Sequence, residues 1–384
     1  MKGGLPQMDA GKFKKEIIEY SKSIGIDKIG FASAGVFEEL KERLIVQQER
    51  RFQSGFEEPD IDKRTNPELL LPKAKSIIAI ALAYPSKMKD APKSTRNERR
   101  GIFCRASWGQ DYHHVLRDRL QKLEAFILEK VPSAKMKSMV DTGELSDRAV
   151  AERAGIGWSG KNCAILTPEF GSYVYLGEMI TTIPFPPDTP IEDQCGTCNK
   201  CVEACPTGAL VQGGQLDSNK CVAFLTQTKG FLKEEYRVKI GNRIYGCDTC
   251  QTVCPKNKGM DFHFHPEMEP DPDIVKPVLK PLLHISNRDF KEKFGPISGS
   301  WRGKKPIQRN AIIALAHFKD ESAIPDLLLL LKSDPRPVIR GTAAWALGKI
   351  GNKMIVNELE EAKISEIDEE VHKEIEAGLM MLTK

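Results

Sequence analysis

A block of cysteines constrains this chain more than any other feature of its sequence. Eight of the ten cysteines fall between Cys195 and Cys254, and only Cys104 and Cys163 lie outside that block. A disulfide framework is usually spread through a small secreted chain, whereas this dense block belongs to a chain of 384 residues. The cysteines therefore predict a metal site.

The spacing of the cysteines indicates two [4Fe–4S] clusters. Two C-x2-C runs each end in C-x3-C-P, a pattern in which the fourth cysteine ligates the other cluster of a two-cluster ferredoxin. The first predicted cluster is held by Cys195, Cys198, Cys201 and Cys254. The second is held by Cys205, Cys221, Cys247 and Cys250. Zinc is the alternative, because paired C-x2-C motifs also form four-cysteine zinc sites. A zinc ribbon has no use for the crossed fourth cysteine and its proline.

Composition and patterning indicate a globular chain with several domains. The chain is 40% hydrophobic and 29% charged, and its net charge of +4 neither requires nor excludes a nucleic-acid partner. The apolar runs at 76–84 and 327–331 are too short to span a bilayer. Residues 1–16 lack the apolar core of a signal peptide, so we expect a cytoplasmic protein without a membrane segment.

Alternating helical and strand patterns predict one α/β domain over residues 1–190. The predicted helices cover 10–24 and 111–131, and the predicted strands cover 28–32, Ser76–Ala83 and 173–184. The cysteine block occupies 191–262. A basic linker is predicted at 263–306, and its stretch 265–281, rich in Pro and Asp, is expected to lack regular structure.

The C-terminal part, 307–384, repeats. Leu315, Leu347 and Leu379 recur at a constant spacing, and the segments around them predict helix pairs. This pattern is typical of HEAT-like repeats, which stack to bury a shared core. The alternative is a helical cap that serves stability alone.

Three further motifs identify a family resemblance that extends over essentially the whole chain. Residues 140–162 (VDTGELSDRAVAERAGIGWSGKN), 243–254 (RIYGCDTCQTVC) and 108–116 (WGQDYHHVL) resemble those of the epoxyqueuosine reductase family. The resemblance implies reduction of the epoxide of epoxyqueuosine at the tRNA wobble position, with cobalamin fed by two [4Fe–4S] clusters. It also implies a relationship to the cobalamin-dependent reductive dehalogenases. The implied fold is an α/β cobalamin-binding domain, a ferredoxin-like two-cluster module and an all-α HEAT-like tail.

The resemblance also implies roles for individual residues. Asp141 is the expected acid that protonates the opened epoxide, and burial should raise its pKa. The alternative is that Asp141 caps a helix beginning near Glu144. The expected corrinoid-binding residues, beside Asp141, are Arg64, Cys104, Lys161 and Asn162. Cys104 either contacts cobalt or lines the pocket, and a lone cysteine is often only a small buried apolar residue.

A tRNA partner is expected to bind basic stripes. Lys and Arg outnumber Asp and Glu over 286–309 and over 93–122, which suits phosphate contacts, although such runs are often simply solvated. The expected tRNA contacts are Arg302, Lys304, Lys305, Arg309, Arg336 and Arg340. We also expect a monomer that receives electrons from a reductant protein. The alternatives to tRNA modification are a corrinoid-dependent reductase of a small molecule and an electron-transfer protein without its own substrate.

Overall fold

The computed structural model describes residues 9–212 and 214–383. The helices are α1 Ala10–Ser23, α2 Glu38–Glu49, α3 Ile61–Thr65, α4 Pro67–Leu70, α5 Tyr112–Lys130, α6 Asp147–Arg153, α7 Lys200–Glu203, α8 Val222–Leu225, α9 Glu234–Ile240, α10 Thr249–Thr252, α11 Pro272–Val275, α12 Leu279–His284, α13 Asn287–Phe294, α14 Lys304–His317, α15 Ile324–Ser333, α16 Pro337–Ile350, α17 Val356–Ser365 and α18 Glu369–Thr383. The strands are β1 Lys28–Ser33, β2 Ser76–Ala83, β3 Ile102–Phe103, β4 Met136–Met139, β5 Trp158–Ser159, β6 Ile165–Leu166, β7 Val174–Thr181, β8 Leu210–Gln212, β9 Gln215–Leu216 and β10 Arg243–Tyr245.

The chain forms two compact units. Unit 1 contains the described parts of Met1–Lys87, Gln110–Asn219 and Thr249–Glu269. Unit 2 contains the described parts of Met88–Gly109, Lys220–Asp248 and Pro270–Lys384. In the described ranges, no helix combines the length and the apolar character needed to cross a bilayer.

Unit 1 is built on a four-stranded antiparallel sheet in the order β1-β2-β7-β4. Every residue of β2 is buried, which explains its continuous apolar run SIIAIALA, because helices cover both faces of the sheet. Ile77 and Ala79 pack with Val150 of α6 on one face. Leu120 of α5 lies against Gly177 of β7 on the other face. The mixed α/β prediction for this part of the chain is confirmed.

Unit 2 ends in a stack of antiparallel helix pairs. Helix α16 packs against α14, α15 and α18, and its buried residues join one large apolar core. Gly348 of α16 and Gly378 of α18 let these two helices approach closely, since a Cβ at residue 348 would lie 2.4 Å from the Cα of Gly378. The prediction of helical repeats in the C-terminal part is therefore confirmed.

One expectation about regular structure is wrong. The segment 265–281 contains a 3-10 turn at Pro266–Met268 and the helix α11, and it leads directly into α12. Helices α12 and α13 follow within 263–306 because Leu279, Leu282, Phe290 and Phe294 recur at helical spacing and are buried. The density of Pro and Asp concealed this apolar pattern.

Candidate active site

The four cysteines of the first predicted cluster line one cavity in unit 1. The cavity is lined by Cys195, Cys198, Cys201 and Cys254, together with Lys161, Asn162 and the apolar Leu166. All ten cysteines lie in the described ranges and none forms a disulfide. Four thiols around one apolar-walled cavity are a soft donor set that fits an iron–sulfur cluster. Within the described residues, no group of three His, Cys, Asp or Glu side chains suits a single metal ion.

The second predicted ligand set is divided between the units. Cys221 and Cys247 belong to unit 2, whereas Cys205 and Cys250 belong to unit 1. Cys221 directly precedes α8, and Cys247 follows β10 after one residue, Gly246. This second set stays a prediction from the spacing of the cysteines.

Asp141 lies in the turn that follows β4 and adopts a strained backbone conformation. Its φ is +52°, in the left-handed region that non-glycine residues rarely occupy. Its backbone N–H donates to Asp147 Oδ2 at 2.8 Å, and its side chain is 60% exposed. Helix α6 begins at Asp147 with Ser146 as its N-cap, so the alternative that Asp141 caps a helix near Glu144 is wrong.

His113 connects Asp141 to a second carboxylate. Asp111 is the N-cap of α5, and its Oδ1 lies 2.7 Å from His113 Nδ1. On the other side of the ring, His113 Nε2 lies 3.4 Å from Asp141 Oδ2. Burial alone would lower the pKa of His113, but hydrogen bonding and the charges of Asp111 and Asp141 outweigh it and raise that pKa to about 9. His113 is therefore protonated at neutral pH.

The electrostatics of Asp141 differ from the expectation. The close contact with protonated His113 lowers the pKa of Asp141 and outweighs desolvation, which opposes it, while Tyr112 adds to the lowering. The expected raised pKa is wrong for this structure because the imidazolium stabilises the carboxylate. At rest, the proton of the pair sits on His113.

Two further acids, Asp147 and Glu178, interact electrostatically with Asp141, and neither was among the expected site residues. Burial, followed by the charge of Asp141, raises the pKa of Asp147 to about 6. Glu178 of β7 is 1% exposed and pairs in register with Met139, the last residue of β4. Among the described residues, no group forms a well-oriented hydrogen bond with its carboxyl oxygens. Burial, then Asp147 and Asp141, raises the pKa of Glu178 well above its ordinary value. The one sequence feature that could have drawn attention to Glu178 is that an acidic residue lies within a predicted strand.

The expected corrinoid-binding residues occupy several places. Lys161 Nζ donates to Gly196 O at 2.7 Å, and Asn162 Nδ2 is buried without a partner in the described part of the chain. Both residues line the cysteine cavity of unit 1. Arg64 is half-buried in unit 1, where burial lowers its pKa and Glu57 opposes that effect. Cys104 belongs to unit 2, and burial raises the pKa of its thiol strongly, so the thiol is neutral.

The expected tRNA-contacting residues differ in their availability. Arg309 is 1% exposed and all its donors are used inside unit 2, so the prediction that it contacts tRNA is wrong. Arg336 pairs with Asp334, and Arg340 pairs with Glu366. Lys304 Nζ donates to Ile285 O at 2.9 Å. Arg302 Nε donates to Gln227 O, and Lys305 is partly exposed.

The fold and the site define an iron–sulfur protein of mixed α/β architecture with a helical-repeat tail and a linked acid–imidazole site. Three family models match the chain. They are described as epoxyqueuosine reductase QueG, DUF1730, at residues 64–142, a 4Fe-4S double cluster binding domain at 194–257, and HEAT repeats at 303–379.

Individual relatives resemble nearly the whole chain. An epoxyqueuosine reductase of Bacillus cereus is 76% identical over 98% of this chain and 99% of its own length. An epoxyqueuosine reductase solved with an epoxyqueuosine-modified tRNA stem loop is 70% identical, with a TM-score of 0.96 over 97% of this chain and 99% of that one. The Bacillus subtilis enzyme, solved with an aspartate-bearing catalytic loop swung out of the active site, is 70% identical, with a TM-score of 0.95 over the same shares. This chain belongs to the epoxyqueuosine reductase family.

Proposed function

We propose that this enzyme reduces the epoxide of epoxyqueuosine at the wobble position of tRNA to give queuosine, the last step in the biosynthesis of that base. The observation that carries the proposal is the Asp141–His113–Asp111 arrangement in a chain that is 76% identical to an epoxyqueuosine reductase. Removing an epoxide oxygen as water consumes two electrons and two protons. The enzyme must therefore deliver both the electrons and the protons to the substrate from defined groups.

The electrons are proposed to pass through two [4Fe–4S] clusters to cobalamin. The first cluster binds Cys195, Cys198, Cys201 and Cys254, whose thiols line one cavity. The second binds Cys205, Cys221, Cys247 and Cys250. A reductant protein supplies the electrons. When bound, cobalamin supplies the low-valent cobalt chemistry at the epoxide carbon.

Donors without partners support a corrinoid site. Cobalamin carries amides and a phosphate, which require hydrogen-bond donors and a cation. Asn162 has a buried Nδ2 without a partner among the described groups, and the Arg64 guanidinium is half-buried with a lowered pKa. We propose that Arg64, Lys161 and Asn162 hold the cofactor, with Asp141 at the reacting face. Cys104, a half-buried neutral thiol, is proposed to line the corrinoid pocket.

Asp141 is proposed to protonate the oxygen of the opened epoxide. In the resting enzyme, the proton lies on His113, 3.4 Å from Asp141 Oδ2. Bound substrate excludes water from the exposed side of Asp141, which raises the pKa of its carboxyl group and draws the proton across from His113. His113 then recovers a proton from solvent and supplies the second one. The swung-out loop described for the Bacillus subtilis enzyme supports an aspartate that works from a loop able to change position.

The tRNA is proposed to bind the basic segment and the first repeat. The solved relative that carries a tRNA stem loop supports this partner. Lys305 and Arg302 are the proposed phosphate contacts, followed by Lys304 and by Arg336 and Arg340, whose acidic partners would have to compete with the phosphates. The modified nucleotide must turn out of the anticodon loop to reach Asp141. Because tRNA is the substrate, the enzyme acts in the cytoplasm, and we propose that it acts as a monomer.

The proposed domains are 1–190 for cobalamin and substrate, 191–262 for a ferredoxin-like two-cluster module, 263–306 as the basic connecting segment and 307–384 for the HEAT-like repeats. Residues 1–8, 213 and 384 lie outside the described residues.

One experiment tests the proposed function. The protein is reconstituted anaerobically with iron, sulfide and cobalamin, reduced, and incubated with tRNA that contains epoxyqueuosine. The nucleosides are then analysed by mass spectrometry. Loss of one oxygen from the modified base is expected. Clusters without corrinoid binding would instead support an electron-transfer protein, and corrinoid binding with turnover only of small molecules would support the small-molecule reductase.

A further inference from the structure

Arg309 and Asn310 form a fully buried polar hub in unit 2. They lie in the middle of α14, and their side chains are 1% and 0% exposed. The Nη1 of Arg309 donates to Thr228 O at 2.7 Å and to Gly230 O at 2.8 Å. Its Nη2 donates to Leu225 O at 2.8 Å, and its Nε donates to Asn310 Oδ1 at 3.1 Å. One guanidinium therefore organises the chain from residue 225 to residue 230.

The amide of Asn310 joins two segments that are distant in sequence. Its Nδ2 donates to Thr226 O and to Ile244 O, both at 2.8 Å. Thr226 ends α8, which begins directly after Cys221, and Ile244 lies in β10, three residues before Cys247. The side chain of Asn310 thus connects the two ends of the long insertion between Cys221 and Cys247.

A further hydrogen bond supports the same closure. The backbone N–H of Gly246 donates to Thr226 Oγ1 at 2.9 Å in a buried position. Gly246 has a φ of +71°, and a Cβ there would lie 2.2 Å from Cys104 Sγ, so no other residue fits without movement. The residue immediately before Cys247 is therefore tied to the helix that follows Cys221.

The charge of Arg309 lacks a compensating carboxylate. Other arginines of unit 2 have one, since Arg237 pairs with Glu374 and Arg100 pairs with Asp273. No ion pair of Arg309 occurs among the described residues, and its partners are carbonyl, hydroxyl and amide oxygens. Burial, followed by Arg237, lowers its pKa to about 9, so it stays protonated at neutral pH. An isolated buried charge is costly unless a counter-charge arrives from elsewhere.

We propose that Arg309 and Asn310 are positioning residues for the second cluster: they set the separation of Cys221 and Cys247, and the Arg309 cation offsets the negative charge of the thiolate-bound cluster. This inference rests on the proposed ligand set of that cluster. A buried cation favours the added electron of a reduced cluster, so Arg309 raises the reduction potential of this cluster relative to a neutral residue. The first repeat helix is thus part of the electron pathway.

The test is a redox titration of the full-length, reconstituted protein followed by electron paramagnetic resonance. Cys247→Ser first identifies the signal of the second cluster. Arg309→Gln is expected to shift the potential of that cluster to more negative values and to leave the other cluster unchanged. Arg309→Lys keeps the positive charge and should shift the potential of the second cluster less than Arg309→Gln does. Asn310→Ala is expected to broaden the second signal and to lower the iron content towards half.

Arg100→Gln is the matched control, because Arg100 is an arginine of unit 2 whose charge is paired, and it should move neither potential. The proposal is overturned if folded Arg309→Gln and Arg309→Lys proteins keep both potentials, or if both clusters shift equally. Should Arg309→Gln fail to fold, Asn310→Ala decides: an unchanged second signal with full iron content overturns the proposal. Wild-type protein that binds one cluster or none would contradict the proposed cofactors instead, which separates the two failures.

Discussion

His113 Nε2 lies 3.4 Å from Asp141 Oδ2, and this contact joins the start of α5 to the strained turn after β4. It gives Asp141 a protonated neighbour rather than the apolar surroundings expected of a carboxylic acid. The pKa of Asp141 is lowered and that of His113 is raised for the same reason, since each stabilises the charged form of the other. The pair therefore holds one proton at neutral pH, and that proton lies on His113.

Asp141→Asn should abolish epoxide reduction while the protein stays folded and loaded with its clusters. The amide cannot pass a proton to the substrate oxygen, and loss of a general acid typically lowers the rate about 10²–10⁴-fold. Single-turnover assays on epoxyqueuosine tRNA measure the effect. Asp118→Asn is the control, because Asp118 pairs with Lys122 at the surface of the same unit and should be neutral. Near-normal turnover by Asp141→Asn would remove Asp141 from the reaction.

The pH–rate profile should fall on its alkaline side as His113 loses its proton, near pH 9. The protonated form is the active one, so activity is retained below this pKa and lost above it. Asp111→Asn removes one of the two carboxylates that raise the pKa of His113, so the alkaline limb should move towards the ordinary histidine value of 6.5. Nuclear magnetic resonance titration of His113 provides the independent reading. An alkaline limb that does not move in Asp111→Asn would contradict the assignment.

Glu178→Gln should stabilise the protein, and more so as the pH rises. The folded pKa of Glu178 lies above its ordinary value of 4.5, so the native state must keep the acid protonated, which costs about 1.4 kcal/mol for each pH unit above that value. A neutral amide of similar size avoids this cost. The free energy of unfolding of Glu178→Gln should exceed that of the wild-type protein by more at pH 8 than at pH 5. Glu39→Gln, at an exposed position, should show none. A lower stability of Glu178→Gln at pH 8 would contradict a buried neutral acid.

Lys305→Glu should weaken tRNA binding and reduce the dependence of affinity on salt. Each phosphate contact contributes about one unit to the salt slope, and charge reversal removes a contact and adds repulsion. Filter binding at several salt concentrations measures both quantities. Lys353→Glu, an exposed lysine of a later repeat, is the control and should leave the slope unchanged. Equal slopes for wild type and Lys305→Glu would exclude Lys305 from the interface.

Gly348→Ala should destabilise the helical tail by about 1–3 kcal/mol, because its Cβ would lie 2.4 Å from the Cα of Gly378, where backbone must move. Thermal unfolding followed by circular dichroism measures the loss. Gly230→Ala is the control, since a Cβ there meets nothing within 4 Å. Equal melting temperatures for the two variants would show that α16 and α18 adjust without cost.

Much of the fold was readable from local patterns. The buried strand β2 matches its predicted bounds, and α1 and α5 match theirs to within one residue at each end, because apolar periodicity is a local property. The family resemblance is confirmed by relatives that cover nearly the whole chain. Helix α11 and the start of α12 were missed because proline and aspartate interrupt the apolar pattern over 265–281.

Only part of the candidate active site could be predicted from the sequence. Asp141 and the cysteines stand in recognisable motifs, whereas Asp111 and His113 acquire their role only when α5 meets the turn after β4. Glu178 lies in the strand predicted at 173–184, but its raised pKa depends on the groups that the fold places around it.

The cysteine block determined by itself that the chain carries a double-cluster motif with thiol ligands, and it predicts their crossed assignment. The spacing of the cysteines can be read directly from the sequence. Only the tertiary structure decided what surrounds those ligands. It placed Arg309 among the carbonyls of residues 225–230 rather than on a surface facing RNA, and it brought His113 to Asp141. Burial and long-range contacts set charge states and hydrogen bonds, and neither is a property of neighbouring residues in sequence.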